Sequence, residues 1–201
     1  MNRELNERQV RSIMTDYKTR EDGEDLIIEG HFAVFNSIYE IAPGMTESVA
    51  EGAFDDQTER DVRALTDHDT QMVLGRTKAG TLELRQDEVG LWGRIAINPK
   101  DSDAVNTYER VKRGDVDQCS FGFDIVDEEA EYRDDGSVHW TIKQVKLYEV
   151  SVCTFPAYSD THVTARSKER DDMNARKAEA WKKRMEEKLN GVKSTHASEE
   201  N

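Results

Sequence analysis

The chain of 201 residues is acidic, with 42 Asp and Glu side chains against 28 Lys and Arg and a formal net charge of -14. Its length accommodates one domain with an extension, or at most two small domains, and no apolar run approaches the roughly 20 residues of a transmembrane helix, which excludes a membrane-spanning class. An acidic balance also argues against a general nucleic-acid partner, because duplex binding depends on Lys and Arg that neutralise phosphates.

The N-terminus and the cysteines indicate the compartment. Residues 1–8 are charged and have no apolar core, so we expect no secretory signal there. Cys119 and Cys153 are too few for a disulfide scaffold, which favours a reducing, cytosolic setting.

The first 165 residues have mostly the patterns of β-strands. Strand formers, or alternating polar and apolar residues, predict strands at 26–35, 81–85, 91–97, 119–126, 138–145 and 147–155. Turn-forming residues at 87–90 and 134–137 predict two hairpin connections. We therefore expect a mixed α+β fold, mainly an antiparallel β-barrel over residues 20–165 with a few surrounding helices, since closure would remove exposed strand edges.

Two segments of this region are candidates for helix. Asp101 or Ser102 can cap a helix that runs to about Arg113, and Gly114 follows its last turn. Residues 52–58 predict a short helix or a turn.

The composition changes after residue 165. Residues 166–193 carry 10 basic and 6 acidic side chains, whereas residues 1–165 carry 18 basic and 34 acidic ones. Apolar residues recur there at helical spacing, and they are Ala178, Trp181, Met185 and Leu189. The pattern predicts a charged, solvated C-terminal helix and a flexible tail. We place a catalytic domain at 1–165 and this extension at 166–201.

His68 is the first candidate catalytic residue. It lies between Asp67 and Asp69, shortly before residues 73–77. A histidine can act as a general base near neutral pH, but a polar loop that happens to contain one is the alternative.

Residues 118–124 contain two candidate nucleophiles. In an extended strand Cys119 shares a face with Phe121 and Phe123, whereas Ser120 shares the opposite, polar face with Gly122. This favours Ser120 over Cys119, although thiols are intrinsically better nucleophiles. We expect Gly122 to leave room for a substrate backbone. An ordinary strand with a solvent-facing serine remains the alternative.

Glu149 lies in a strand-like segment, residues 148–157, that ends at Pro156. The same face carries Ser151 and Cys153. A carboxylate in an apolar strand is costly to bury unless it is paired, so Glu149 either faces water at a sheet edge or accepts a hydrogen bond from an imidazole.

Four motifs in this order resemble the prohead maturation protease family of tailed bacteriophages, a family thought to share its fold with the herpesvirus capsid protease assemblin. The motifs are Gly-Ala-Phe at 52–54, His-Asp at 68–69 followed by Leu-Gly-Arg-Thr at 74–77, Ser-Phe-Gly-Phe at 120–123, and Glu-Val-Ser at 149–151 followed by Pro-Ala at 156–157. The resemblance extends from about residue 29 to 158.

The resemblance implies a serine endopeptidase with Ser120 as nucleophile, His68 as general base and Glu149 as the third member. The herpes enzymes have a second histidine at the third place, so the acid at 149 departs from them. Backbone amides after Pro156, or Arg166 by analogy, are the candidates for the oxyanion donors.

The same resemblance implies the substrates and the place of action. We expect cleavage of the scaffolding region of the major capsid protein, of internal scaffold and of the chain itself, in the host cytoplasm inside the assembling prohead. No metal or organic cofactor is implied. The C-terminal helix is either a solvated extension or an arm that binds portal, scaffold or capsid protein. Enclosure would favour a homodimer by mass action.

Three other functions remain open. A metal hydrolase would use Asp67, His68 and Asp69 with His31, His139 or His162, but close ligand spacing is absent. A cysteine hydrolase would use Cys119 with His68, against the facing argument. A head scaffolding or assembly protein without activity would suit the charged helix and the acidic body, and it would be indifferent to Ser120→Ala.

Overall fold

The computed structural model describes residues 8–15, 17–22, 25–155, 171–179 and 181–185. These residues form strands, an α-helix of 12 residues, a short 3₁₀ helix at Thr77–Ala79 and a helical C-terminal segment. In chain order the elements are β1 (Gln9–Met14), β2 (Lys18–Asp22), β3 (Asp25–Val34), β4 (Tyr39–Ala42), β5 (Met45–Val49), β6 (Arg63–Thr66), β7 (Asp69–Arg76), β8 (Leu82–Gln86), β9 (Gly90–Ile97), α1 (Ser102–Arg113), β10 (Gln118–Tyr132) and β11 (Val138–Cys153).

The strands form two sheets. The larger has the order β1-β10-β11-β5-β4. Strand β6 also pairs with β11, and β7 pairs with the other edge of β6. The smaller has the order β2-β3-β9-β8. Strand β11 is central to the larger sheet, because its first half pairs with β5 and its second half with β6, both in parallel. The remaining pairs of described strands are antiparallel.

The larger of two hydrophobic clusters of described residues lies between the two sheets. Ile28, Phe32 and Leu91 enter it from the smaller sheet, and Phe121 and Val150 enter it from the larger. Each of these side chains has no exposed surface. This burial confirms the period-two patterns, since alternate residues of each strand face the same side.

The expectation of a mainly antiparallel β fold with few helices is confirmed, but the β-barrel is not. Among the described strands each sheet has free edges, β1, β4 and β7 in the larger and β2 and β8 in the smaller. Two sheets packed face to face bury the same apolar residues as a closed barrel would, so alternation in the sequence cannot distinguish the two.

The predicted strands at 138–145 and 147–155 form one continuous strand, β11. Val145 and Leu147 are both buried while Lys146 between them is exposed, so the alternation continues through the expected break. Its partner β10 is also longer than predicted and absorbs register shifts at three places.

The predicted helix is α1, and its ends match the sequence signals. The Asp101 side chain accepts hydrogen bonds from the backbone N–H groups of Asp103 and Ala104, so Asp101 rather than Ser102 is the N-cap. Such a cap stabilises a helix by about 1 kcal/mol. Gly114 ends the helix with a φ of 84°, a conformation that glycine adopts without strain. Residues 51–59 form turns rather than a helix.

The C-terminal segment is helical over residues 171–179 and 181–185, as the sequence predicts. It contacts the β10–β11 connection, where Asn174 Nδ2 donates to the carbonyl of Gly136 (3.4 Å) and Lys177 Nζ donates to that of Arg133 (2.9 Å). Leu189 and the predicted boundary at 165 lie outside the described residues. Within the described residues, no helix is both long and apolar enough to cross a membrane.

Candidate active site

His68 lies in a two-residue hairpin turn between β6 and β7. Both turn residues have positive φ, 49° at Asp67 and 60° at His68. Positive φ at both central positions is the requirement of a type I′ turn, whose twist matches that of the flanking strands. Asp and His enter this region more readily than most residues, but at a cost compared with Asn-Gly. The turn therefore needs support from its surroundings.

Asp67 supplies that support by fastening the turn to the end of β11. Its Oδ1 accepts from the Thr154 backbone N–H (2.8 Å), and its Oδ2 accepts from the Thr154 hydroxyl (3.2 Å). Its own backbone N–H donates to the carbonyl of Val152 (2.9 Å). Hydrogen bonds from both the side chain and the backbone of Asp67 thus hold the turn against β11, and they place the His68 ring over that strand.

His68 contacts Glu149, the predicted third residue. Nδ1 of His68 lies 2.7 Å from Oε1 of Glu149, and the two side chains are 21% and 5% exposed. A carboxylate only accepts hydrogen bonds, so Nδ1 carries the proton and donates it to Glu149. Nε2 of a neutral ring is then an acceptor, which is the tautomer that a general base requires.

Ser151 holds the other oxygen of the same carboxylate. Its hydroxyl donates to Oε2 of Glu149 at 2.6 Å, and Ser151 has no exposed surface. Glu149 faces neither water nor a sheet edge, because its strand pairs with β10 on one side and with β6 on the other.

Ser120 lies beside this group on the neighbouring strand. It is the register partner of Ser151, so their side chains share a face of the sheet. Its hydroxyl donates to the backbone carbonyl of Arg11 in β1 at 2.8 Å, and Ser120 has no exposed surface. Among the described residues no hydrogen bond joins Ser120 to His68. The alternative of an ordinary strand with a solvent-facing serine is therefore wrong, because Ser120 is fully buried.

Strand β1 is fixed in that position by a buried ion pair. The Arg11 guanidinium binds Glu47 of β5 through Nε and Nη2, the second at 3.0 Å. The Glu47 side chain is fully buried and that of Arg11 is 11% exposed. A buried charge is tolerated when it is paired in this way, so the pair holds the Arg11 carbonyl against Ser120.

The two cysteines have different places. Cys119 faces the core and donates to the carbonyl of His31 at 3.0 Å, as the facing argument predicts. Cys153 lies on the site face, with its Sγ 3.7 Å from Nε2 of His68. Burial, with the nearby Asp67 and Glu149 charges, raises the pKa of the Cys153 thiol to about 12, so it is protonated at neutral pH and a poor nucleophile.

Gly122 has another role than the one expected from the sequence. An ideal Cβ at this position would lie 2.3 Å from Oε1 of Glu149. The missing side chain therefore makes room for the Glu149 carboxylate rather than for a substrate backbone. No other residue fits there without moving the group that binds His68.

The other two described histidines, His31 and His139, lie away from this site. His31 pairs with Asp87 (2.9 Å), and the ring of His139 contacts the hydroxyls of Thr46 and Ser48. His162 is outside the described residues. Within the part of the chain that the structure describes, no group of three or more His, Cys, Asp and Glu residues could hold a metal ion.

Comparison with known proteins gives the family. A model described as the caudovirus prohead serine protease matches residues 15–176. The chain belongs to this family. The prohead protease of Enterobacteria phage HK97 is 28% identical over 152 residues, which cover 75% of this chain and 64% of that protein. The chain thus spans less than two thirds of the length of this curated relative. The structure of the bacteriophage T4 capsid assembly protease matches with a TM-score of 0.47 and 14% identity, over 75% of this chain and 100% of that chain.

The prohead protease family predicted from the motifs is thus confirmed. The roles of His68, Ser120 and Glu149 stay predictions, and the structure brings only His68 and Glu149 into contact. Pro156 and Arg166, the candidates for the oxyanion donors, lie outside the described residues. Sequence reasoning missed the contacts of Ser151, Asp67 and Cys153 with this site. The period-two alternation that grouped Ser151 and Cys153 with Glu149 was the available signal.

Proposed function

We propose that this chain is a serine endopeptidase that processes capsid and scaffold proteins during prohead maturation. The observation that carries the proposal is the His68–Glu149 hydrogen bond of 2.7 Å, with a serine on the adjacent strand and the same face. An imidazole that is oriented by a carboxylate and lies near a serine hydroxyl is the arrangement that enzymes use for nucleophilic acyl transfer.

The three residues have distinct chemical roles. Glu149 accepts from Nδ1 of His68 and leaves Nε2 able to take the Ser120 proton. Ser120 attacks the scissile carbonyl, the imidazolium returns the proton to the leaving amine, and water then hydrolyses the acyl-enzyme. General-base assistance of this kind is worth about 10²–10⁴ in rate.

The described arrangement corresponds to a resting state. Before Ser120 can react, its hydroxyl must leave the Arg11 carbonyl, and Nε2 of His68 must turn from Cys153 toward Ser120. A latent state suits an enzyme that must not cut its substrates before they assemble. The proposed place of action is the interior of the assembling prohead in the host cytoplasm.

The proposed substrates are the N-terminal scaffolding region of the major capsid protein, internal scaffold and the chain itself. Family membership and the likeness to the HK97 prohead protease support this class of substrate. Residues 1–165 form the proposed catalytic domain and residues 166–201 the extension.

The extension is proposed as an arm that binds the portal, scaffold or capsid protein. Trp181 and Met185 are 59% and 42% exposed on a helical segment that also carries Lys182, Lys183 and Arg184. A homodimer formed at the high concentration inside the shell is a further part of the proposal, and it predicts activity that rises more steeply than linearly with protein concentration.

The test is intact mass over time for concentrated, purified protein. We expect the wild type to trim itself and Ser120→Ala to stay intact. Cys153→Ala is the matched variant. Like Ser120→Ala it removes one buried side-chain heteroatom from the same face of the sheet, but it leaves the proposed nucleophile in place. Equal trimming by wild type and Ser120→Ala would overturn the nucleophile assignment, and loss of trimming only in Cys153→Ala would move it to the thiol.

A scaffolding or assembly protein without activity is the second candidate. The observation in its favour is that Ser120 is fully buried and bonded to Arg11 rather than to His68. Co-expression with the capsid protein distinguishes the two functions. If the chain is a scaffold, wild type and Ser120→Ala should support assembly equally well, and the capsid protein should stay uncut with either.

A further inference from the structure

Ser151 is a buried polar residue that contacts the candidate triad and that the mechanism above does not use. Its hydroxyl donates to Oε2 of Glu149 at 2.6 Å, while Oε1 of the same carboxylate accepts from His68 at 2.7 Å. Both oxygens of Glu149 thus have a donor, one on each side.

Because the hydrogen bond between Ser151 and Glu149 is buried, its loss would leave Oε2 of Glu149 without a donor. Ser151 has no exposed surface and Glu149 is 4% exposed, so water has no access that would replace the hydroxyl. An acceptor left unpaired in such a place bears the full cost of its desolvation, and bonds to charged groups are the stronger ones.

The strand geometry explains why this residue can reach the carboxylate. Ser151 and Glu149 are two positions apart in β11, so they share a face and a direction. Gly122, the register partner of Glu149, leaves room for the carboxylate over the neighbouring strand.

Ser151 is distinct from the nucleophile although the two serines are register partners. The Ser120 hydroxyl donates to the Arg11 carbonyl, whereas the Ser151 hydroxyl donates to the group that orients the base. Because the Ser151 hydroxyl donates its hydrogen bond to Oε2 of Glu149, it does not donate to His68 as a nucleophile activated by that base would.

We propose that Ser151 is a positioning residue of the active site. It fixes the rotation of the Glu149 carboxylate so that Oε1 faces Nδ1 of His68, and it thereby holds the imidazole in the tautomer and direction that Ser120 requires. This inference rests on the proposed serine endopeptidase function.

The experiment compares Ser151→Ala with Ser151→Thr in the full chain. The first readout is the initial rate of Ser120-dependent self-trimming at one protein concentration. We expect Ser151→Ala to be about tenfold slower, the effect of one hydrogen bond to a charged group, and Ser151→Thr to recover most of the rate because it keeps the hydroxyl. Ser48→Ala is the matched control, since Ser48 is also buried and bonded to a histidine outside the site, and its rate should equal that of wild type.

The second readout does not depend on activity. In ¹H NMR with ¹⁵N-labelled histidine, we expect a downfield Nδ1 proton signal of His68 in wild type and Ser151→Thr, and its loss or broadening in Ser151→Ala. A wild-type signal in Ser151→Ala, or Ser151→Thr as slow as Ser151→Ala, would overturn the positioning role. If the NMR signal responds as expected but no variant trims in a Ser120-dependent way, the proposed function fails while the contact itself holds.

Discussion

Gly122 lies directly against Glu149, close enough that a Cβ at position 122 would come within 2.3 Å of Oε1. The contact joins two motifs that are far apart in the chain, the Ser-Phe-Gly-Phe segment and the Glu-Val-Ser strand. It means that the smallest residue of the first motif sets the position of the acid in the second.

We predict that Gly122→Ala reduces self-trimming by about a hundredfold, because a displacement of about 1 Å at a catalytic group can cost that much. The measurement is the initial trimming rate, with the thermal midpoint recorded in parallel. Gly80→Ala is the control: an added Cβ there meets nothing within 4 Å, although its φ of +70° adds strain. A Gly122→Ala variant that trims like Gly80→Ala would show that Glu149 does not need this space.

Asp67 is the second position with a specific prediction. Asp67→Gly relieves the strain of a φ of 49° but removes both side-chain bonds to Thr154, whereas Asp67→Asn keeps an acceptor and tolerates the same φ. We expect Asp67→Gly to trim about tenfold more slowly, since a bond to a charged acceptor is lost, with little change in the urea midpoint. Asp67→Asn should retain most of the rate. Equal rates for Asp67→Gly and wild type would show that the turn positions His68 without the hydrogen bonds between Asp67 and Thr154.

Alkaline pH should destabilise the fold. Burial raises the pKa of Cys153 to about 12 from 9.0, and burial raises the pKa values of Cys119, Tyr17 and Tyr39 in the same direction. A raised folded-state pKa means that the stabilisation is fully present below the unfolded value and is lost as the pH rises toward the folded value. We therefore expect urea midpoints to be constant near pH 7–8 and to fall as the pH rises above 9.

The cysteine variants separate these contributions. In Cys153→Ala the decline above pH 9 should be shallower than in wild type, because one buried acid no longer has to ionise on unfolding. The comparison uses the slope of stability against pH rather than its absolute value, since removing the side chain also leaves a small cavity. Parallel slopes in wild type, Cys119→Ala and Cys153→Ala would contradict the assignment of the raised pKa values to these thiols.

Local patterns in the sequence identified α1 and the strands β3, β8, β9, β10 and β11, but they did not identify β1, β2 or the four strands from β4 to β7. The caps of α1 at Asp101 and Gly114, the hairpin at 87–90 and the facing of Cys119 toward the core each depend on residues only a few positions apart. Such short-range signals act through backbone conformation and side-chain alternation, which are already encoded in a single segment. The four ordered motifs likewise identified the family.

The sequence by itself determined the β-rich class, the family and the three candidate residues, because each depends on local alternation, capping or motif order. Only the tertiary structure decided that Glu149 contacts His68, that Ser151 binds the second oxygen of that carboxylate, that the Ser120 hydroxyl binds the Arg11 carbonyl and that the strands form two open sheets rather than a barrel. These features depend on which strands become neighbours and in what register. The contacts of Ser120 with Arg11 and of His68 with Glu149 join segments 109 and 81 positions apart, and local sequence patterns do not show which distant strands will pair.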